Sequence, residues 1–228
     1  MLSLLLHGNL DFPSVIAELL AVLLIIFLIL PFHEWAHAFT ASLLGDKAIK
    51  QRGRLTLNPI NHVDPVGAVC MLLFGFGWAK AVPIDPRNFK NPKLGMAVTA
   101  VMGPVANLIA GLVGFLVYYA LIFFAAGFML TTDFGGYVTT FLSFYISCNI
   151  SLAVFNLIPI PPLDGSKILF LFLPDRAVNF CYRYQQIFFI ALFALLYVGV
   201  FNGLLGWATN GLYSGLSWLA SLPFKLFV

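Results

Sequence analysis

From Leu19 to Phe32 the chain reads LLAVLLIIFLILPF, without one charged residue, and the next five residues are His33-Glu34-Trp35-Ala36-His37. The apolar stretch around this run extends from about Ser14 to Leu44. A helix crossing a bilayer needs about 20 such residues. Lipid offers no partner for backbone polar groups, so a helix that satisfies them internally is the structure open to a lone segment. On that helix His33 and His37 stand at i and i+4, on one face, where both imidazoles can bind one Zn²⁺. Glu34 falls beside them, placed as a general base. Two imidazoles and a carboxylate are costly in hydrocarbon, which marks them as functional rather than as a chance match.

The rest of the chain has the same character. It is 228 residues long, 61% hydrophobic and 9% charged, with a mean hydropathy of +0.97. Soluble domains carry about 25% charged residues. The expected fold is therefore an all-α polytopic membrane protein, a single membrane-embedded domain over residues 1–228. Its catalytic core would cover about 14–168, followed by C-terminal segments over 184–228. The net charge of +3 gives no sign of a nucleic-acid partner. Cys70, Cys148 and Cys181 lie in apolar surroundings and read as small buried hydrophobes. The first basic residue is Lys47, so the N-terminus lacks the basic region of a signal peptide and the first segment is expected to be retained.

Six apolar segments can be drawn: A (Ser14–Leu44), B (Val66–Trp78), C (Leu94–Leu130), D (Gly136–Ile158), E (Gln186–Leu205) and F (Gly206–Phe224). B is too short to span as a helix. Eight of the twelve basic residues lie in the loops flanking it: Lys47, Lys50, Arg52, Arg54, Lys80, Arg87, Lys90 and Lys93. A crossing at B would put these loops on opposite sides, against the positive-inside rule. B therefore reads as re-entrant, lining a wet chamber. The total is about five or six transmembrane segments plus B. With F returning to the starting side, all twelve basic residues, Lys225 included, share the cytoplasmic side. The outer parts keep only Asp11, Glu18 and Asp133. The stretch Ala48–Asn58 alternates in parts and reads as a short strand or β-hairpin at the cytoplasmic edge.

A hydrolytic zinc site needs three protein ligands and an open position. Glu18 lies about four turns before His33, too far for the same ion, and His7 is near the terminus. His62, Asp64 and Asp164 remain. Asp164 is the best placed: it follows Asn156-Leu157-Ile158-Pro159-Ile160-Pro161-Pro162-Leu163 at the cytoplasmic end of D, at a depth similar to that of the two histidines. The prolines break the helix there, as suits a wall of a wet cavity. As a bland alternative, Asp164-Gly165 is also a common turn pair.

These blocks resemble the site-2 protease family of intramembrane zinc metalloproteases, peptidase family M50. H-E-W-A-H matches the family's H-E-x-x-H, and N-L-I-P-I-P-P-L-D-G matches its second signature, whose third zinc ligand maps onto Asp164. Asn58-Pro59-Ile60-Asn61-His62-Val63-Asp64-Pro65-Val66-Gly67, with Gly77-Trp78-Ala79-Lys80 after it, resembles a segment of the short prokaryotic branch, as does Gly103-Pro104-Val105-Ala106-Asn107. The branch meant here lacks PDZ and CBS domains, and this sequence has no room for either.

The resemblance implies one Zn²⁺ per chain on His33, His37 and Asp164, with Glu34 as catalytic base. It implies cleavage within or near the transmembrane segment of a membrane-anchored substrate, in a multi-pass protein of a prokaryotic cell membrane with its active site toward the cytoplasm. Asn107 and His62 are candidate substrate-binding residues. The bland alternatives are an interhelical hydrogen bond for Asn107 (as for Asn149 and Asn156) and an anchor of segment B for His62 and Asp64. Gating by a homo-oligomer or a separate regulatory partner fits the absence of accessory domains. The competing function is a non-catalytic, chaperone-like membrane homologue, against which an intact Glu34 speaks. A metal transporter would need ligands at several depths.

Overall fold

The computed structural model describes residues 19–20, 22–74 and 77–225. The start of segment A at Ser14, His7, Asp11, Glu18 and Gly75 all lie outside them. The first helix, α1 (Val22–Leu44), carries a π-helical turn at Ile25–Ile29 directly before Pro31. Proline has no N–H to offer the preceding turn, and π-turns are where helices bend. The metal motif thus begins one turn after a local break. At the far end of α1, Gly45 takes φ +126°, and a Cβ there would meet the Asn88 carbonyl oxygen at 2.6 Å. Asp46, fully buried, follows. Its carboxylate accepts the Asp85 N–H and the Asn88 side-chain N–H, both at 2.8 Å. These contacts tie the end of α1 to the loop that returns from segment B.

Where the sequence suggested a strand or hairpin, residues Ala48–Gln51 form a short helix, α2. No sheet occurs among the described residues, and the β contact present is an isolated bridge between Val63 and Ala79. Arg54 ties this stretch to the loops on either side of segment B. Its buried guanidinium donates to the carbonyls of Asn61, Lys80 and Ala81, so those carbonyls are not available to a strand edge.

Segment B is a helix of ten residues, α3 (Pro65–Phe74). At 1.5 Å per residue that is about 15 Å, half a bilayer core. Its chain returns to where it entered: Val63 bridges Ala79, and the Lys80 N–H donates to the His62 carbonyl at 2.7 Å. Asp64 caps the helix through the N–H groups of Val66 and Gly67, both at 2.9 Å.

The long helix α4 (Pro92–Thr131) and α5 (Asp133–Asn156) form an antiparallel pair, and α1 packs on the first half of α4. After the proline turn come α6 (Asp164–Phe170), α7 (Asp175–Arg183), α8 (Gln185–Tyr197) and α9 (Asn202–Lys225). One apolar core gathers Ala38, Ala41, Ile49, Val82 and Phe89 beneath the returning loop; a second gathers Phe115, Ile146, Ile150, Val154 and Ala220 between α4, α5 and α9.

Among the described residues, three helices, α1, α4 and α5, are long and apolar enough to cross a membrane. A fourth span results if α7 and α8, bent by 71°, are counted as one. The sequence had suggested five or six. The boundary between E and F also moves: the chain breaks at Gly199, where φ is +81°, and α9 begins at Asn202. The direction of α9 differs as well. Tyr213 meets Phe115, Ser217 meets Tyr119 and Phe224 meets Phe123, so α9 runs parallel to α4. Lys225, next to Phe224, therefore lies toward the Thr131 end of α4. That is the end away from the basic loops, contrary to the expectation that Lys225 joins them. The edge-on and tilted aromatic contacts between the helices, which fix this direction, have no sequence signature.

Candidate metal centre

α1 presents His33 and His37 on one face, and both are buried. Helical spacing alone aims them in a common direction, and α4 turns that direction into a site. Gly103 makes the approach possible: a Cβ there would overlap His37 Nε2 and lie 2.6 Å from His33 Cε1. One turn either side, α4 supplies the outer partners of the rings. His37 Nδ1 is 2.8 Å from the Thr99 carbonyl oxygen, and His33 Nδ1 is 3.1 Å from the Asn107 side-chain amide.

Asp164 arrives from the other side, as the first residue of α6 after the proline turn. Gly165 beside it fits against the Leu157 backbone, where a Cβ would collide. Asp164 Oδ2 lies 3.2 Å from His33 Nε2 and 3.1 Å from His37 Nε2, and the two nitrogens are 3.0 Å apart. Tetrahedral zinc with bonds of about 2.0–2.1 Å separates its ligand atoms by about 3.3 Å. The three atoms fit one zinc ion, and two imidazoles with a carboxylate are a donor set used by hydrolytic zinc sites. Among the described residues, this is the one group of three histidine, cysteine or acidic side chains close enough to share a metal.

Lys167, one turn along α6, donates to Asp164 Oδ1 at 2.9 Å and leaves Oδ2 facing the histidines. Burial alone would raise the Asp164 carboxyl. The close contacts with the His37 and His33 rings and the Lys167 ammonium outweigh it and hold the carboxyl far below its usual range. Burial pulls Lys167 down, and the charges of Asp164 and Glu34 more than offset it, keeping the ammonium protonated above its ordinary value.

The site opens on a cavity of about 640 Å³ whose walls are mostly apolar. Glu34 lines it beside the ligands, and its Oε2 accepts the Val82 N–H at 3.0 Å. That bond comes from the extended chain that follows segment B, which forms one wall, whereas Gly67, Ala68 and Met71 of α3 line a separate small cleft. Phe189 and Phe193 of α8 line the opposite wall.

The structure distributes the remaining predicted residues differently. Asn107 is fully buried behind His33 and does not line the cavity. His62, 1% exposed, has its Nε2 2.8 Å from the Thr56 carbonyl and faces a separate small cleft with Asp64. Neither His62 nor Asp64 joins the metal group. Two residues that the sequence reading left as topology markers or packing do line the cavity: Lys167 and Asn156. For Lys167 the signal was present in its i+3 spacing from Asp164 on a short helix. Asn156 gave none beyond its place in the proline-rich block.

Over residues 21–199 the chain matches the model of peptidase family M50. It is 43% identical over 148 residues to "Putative zinc metalloprotease YwhC" of Bacillus subtilis (strain 168), covering 64% of this chain and 67% of that one. Identity to "Putative zinc metalloprotease Rip2" of Mycobacterium tuberculosis (strain ATCC 25618 / H37Rv) is 28% over 184 residues, or 77% of this chain and 67% of that one. The Rip2 protein of Mycolicibacterium smegmatis is 29% identical over 143 residues, 58% of this chain and about half (49%) of its own length. No solved structure matches the chain.

Proposed function

This chain belongs to peptidase family M50, and from that membership and its metal centre we propose that it is an intramembrane zinc endopeptidase. It would cut a peptide bond within or near the transmembrane segment of a membrane-anchored substrate, as a step of regulated intramembrane proteolysis. The observation that carries this reading is the convergence of His33 Nε2, His37 Nε2 and Asp164 Oδ2 to within 3.2 Å of one another, with Glu34 on the wall of the same cavity.

The chain's own residues then have distinct tasks. His33, His37 and Asp164 would hold the ion, and Lys167 engages Asp164 Oδ1, the oxygen turned away from the histidines. When bound, zinc supplies the Lewis acidity that polarises the scissile carbonyl and makes water a nucleophile near neutral pH. Glu34 takes the proton of the attacking water and later hands it to the leaving amine. The apolar cavity excludes bulk water and accepts a hydrophobic segment in extended form, since a helical peptide bond hides its carbonyl. The segment Trp78–Val82, held in place by Arg54 and Glu34, walls one side of it.

The basic residues around segment B and after α5 favour a cytoplasmic position for this end of the molecule in a prokaryotic cell membrane, under the positive-inside rule. Admission of substrate would fall to a partner protein or a second copy of the chain.

The test begins with zinc per chain in detergent-purified protein. The wild type should hold about one zinc, and Asp164→Ala and His37→Ala little or none. Glu34→Gln should keep the zinc and lose turnover by about 10²–10⁴-fold. Turnover can be read on a mixture of single-span membrane proteins in proteoliposomes, by mass spectrometry of the cut termini. Normal cleavage by Glu34→Gln would overturn Glu34 as the base, and a zinc-loaded wild type that cuts nothing would leave the non-catalytic alternative.

A further inference from the structure

The two histidines meet their outer partners in different ways. His37 Nδ1 faces the Thr99 carbonyl, which can only accept. Nδ1 therefore carries the ring hydrogen, and Nε2 keeps its lone pair on the side of Asp164. His33 Nδ1 faces the amide of Asn107, a side chain able either to donate or to accept. With the amide nitrogen toward the ring, Asn107 donates to Nδ1 and the ring hydrogen must sit on Nε2. That is the atom 3.0 Å from His37 Nε2 and 3.2 Å from Asp164 Oδ2. A protonated Nε2 cannot ligate. In the same orientation Asn107 Oδ1 is buried without a partner.

The two ends of an amide have nearly the same shape, and their assignment rests on the hydrogen bonds they make. Turning the amide over places Oδ1 against Nδ1, puts the hydrogen on Nδ1 and frees Nε2, while the NH2 group takes the position away from the ring where Oδ1 had no partner. Metal-ligating imidazoles generally donate their second N–H to an acceptor in this way. Asn107 is held at this spot by burial on α4, one turn beyond the Gly103 that lets the helix reach the rings.

We propose that Asn107 is a positioning residue for zinc: its Oδ1 accepts the Nδ1–H of His33 and so fixes the tautomer and tilt in which His33 ligates. The inference rests on the zinc site of the proposed function, but not on proteolysis. It replaces the substrate contact expected for Asn107, which its place behind the ring does not allow.

The test is zinc affinity, measured on full-length protein in detergent by competition with a chromophoric chelator, so that no substrate is needed. Asn107→Asp keeps an acceptor and removes every donor; Asn107→Leu keeps the size and removes both. The expected result is zinc binding by Asn107→Asp within about threefold of wild type and binding by Asn107→Leu weakened by about 10–100-fold. Co²⁺ in place of zinc should give wild-type visible bands in Asn107→Asp and shifted bands in Asn107→Leu. Wild-type affinity in Asn107→Leu would overturn the proposal. So would a folded Asn107→Asp that loses zinc, since a donor would then be what His33 needs. If Asn107→Leu does not fold, Asn107→Asp decides alone. A wild type that holds no zinc would remove the site itself, a failure of the proposed function that the wild-type measurement reveals separately.

Discussion

From Pro92 to Asn107, α4 brings Gly103, the Thr99 carbonyl and the Asn107 amide against the two imidazoles. From Leu112 to Phe123 the same helix meets α9 through Phe115, Tyr119 and Phe123, with a side-chain hydrogen bond between Tyr119 and Ser217 at 2.7 Å. The first half uses close approach and directed polar contacts, each aimed at one atom. The second half uses apolar and aromatic packing, in which many contacts share the energy and none is aimed. Lipid adds no hydrophobic drive between helices, so packing and a few hydrogen bonds must hold the second half. The first half should therefore answer to single-atom changes through the metal. The second should answer to volume through stability, with the metal unmoved.

Gly103→Val gives the largest effect. Its side chain would occupy the space of His37 Nε2 and His33 Cε1, and zinc per chain should fall close to zero along with cleavage. Gly111→Ala on the same helix is the matched control, because a Cβ there meets Ile150 at an ordinary 3.5 Å. Full zinc content in Gly103→Val would break the comparison at its strongest point. Next, Lys167→Met removes the hydrogen bond to Asp164 Oδ1 without adding volume. Cleavage or zinc affinity should drop by about 10–100-fold, the usual cost of losing a ligand's outer partner. An unchanged affinity and rate would reduce Lys167 to a wall residue.

Phe115→Ala tests the other half. The ring is 3% exposed, and its loss should lower stability by about 3 kcal/mol, read as an earlier thermal transition in detergent. Zinc per folded chain should stay at the wild-type value; a parallel loss of zinc would show that the halves are not separable. Tyr119→Phe is the smallest change. It deletes one interhelical hydrogen bond, and the transition should shift by the equivalent of about 0.6 kcal/mol. A much larger shift would mean that α9 hangs on this bond rather than on the aromatic contacts.

What could be read without coordinates follows the periodicity of local structure. The spacing of His33, Glu34 and His37 converts directly into one helical face, so the two candidate ligands and the carboxylate beside them were legible together. The long apolar runs gave α4 and α5 to within a few residues, and the basic loops gave the return of segment B, seen in the Val63–Ala79 bridge. Asp164 was legible through its depth at the end of α5 and through its motif. The Ala48–Asn58 stretch was misread because partial alternation over a few residues does not distinguish a strand from the short helix that Ala48–Gln51 forms.

Burial and direction were beyond reach for the same reason. An asparagine on an apolar helix can face a substrate, a neighbouring helix or an imidazole, and its sequence context is the same in each case. Only the packing of α4 on α1 puts Asn107 behind His33, and only the Phe115–Tyr213 and Phe123–Phe224 contacts turn α9 parallel to α4. The sequence by itself determined that this chain enters a membrane, that two histidines and a glutamate share a helical face there, and that an aspartate is available to join them. Those features depend on residues close together in the chain. Which oxygen of Asp164 meets the histidines, what holds each ring and which way the last helix runs were decided by contacts between residues up to 131 positions apart. Such contacts exist only once the helices have packed.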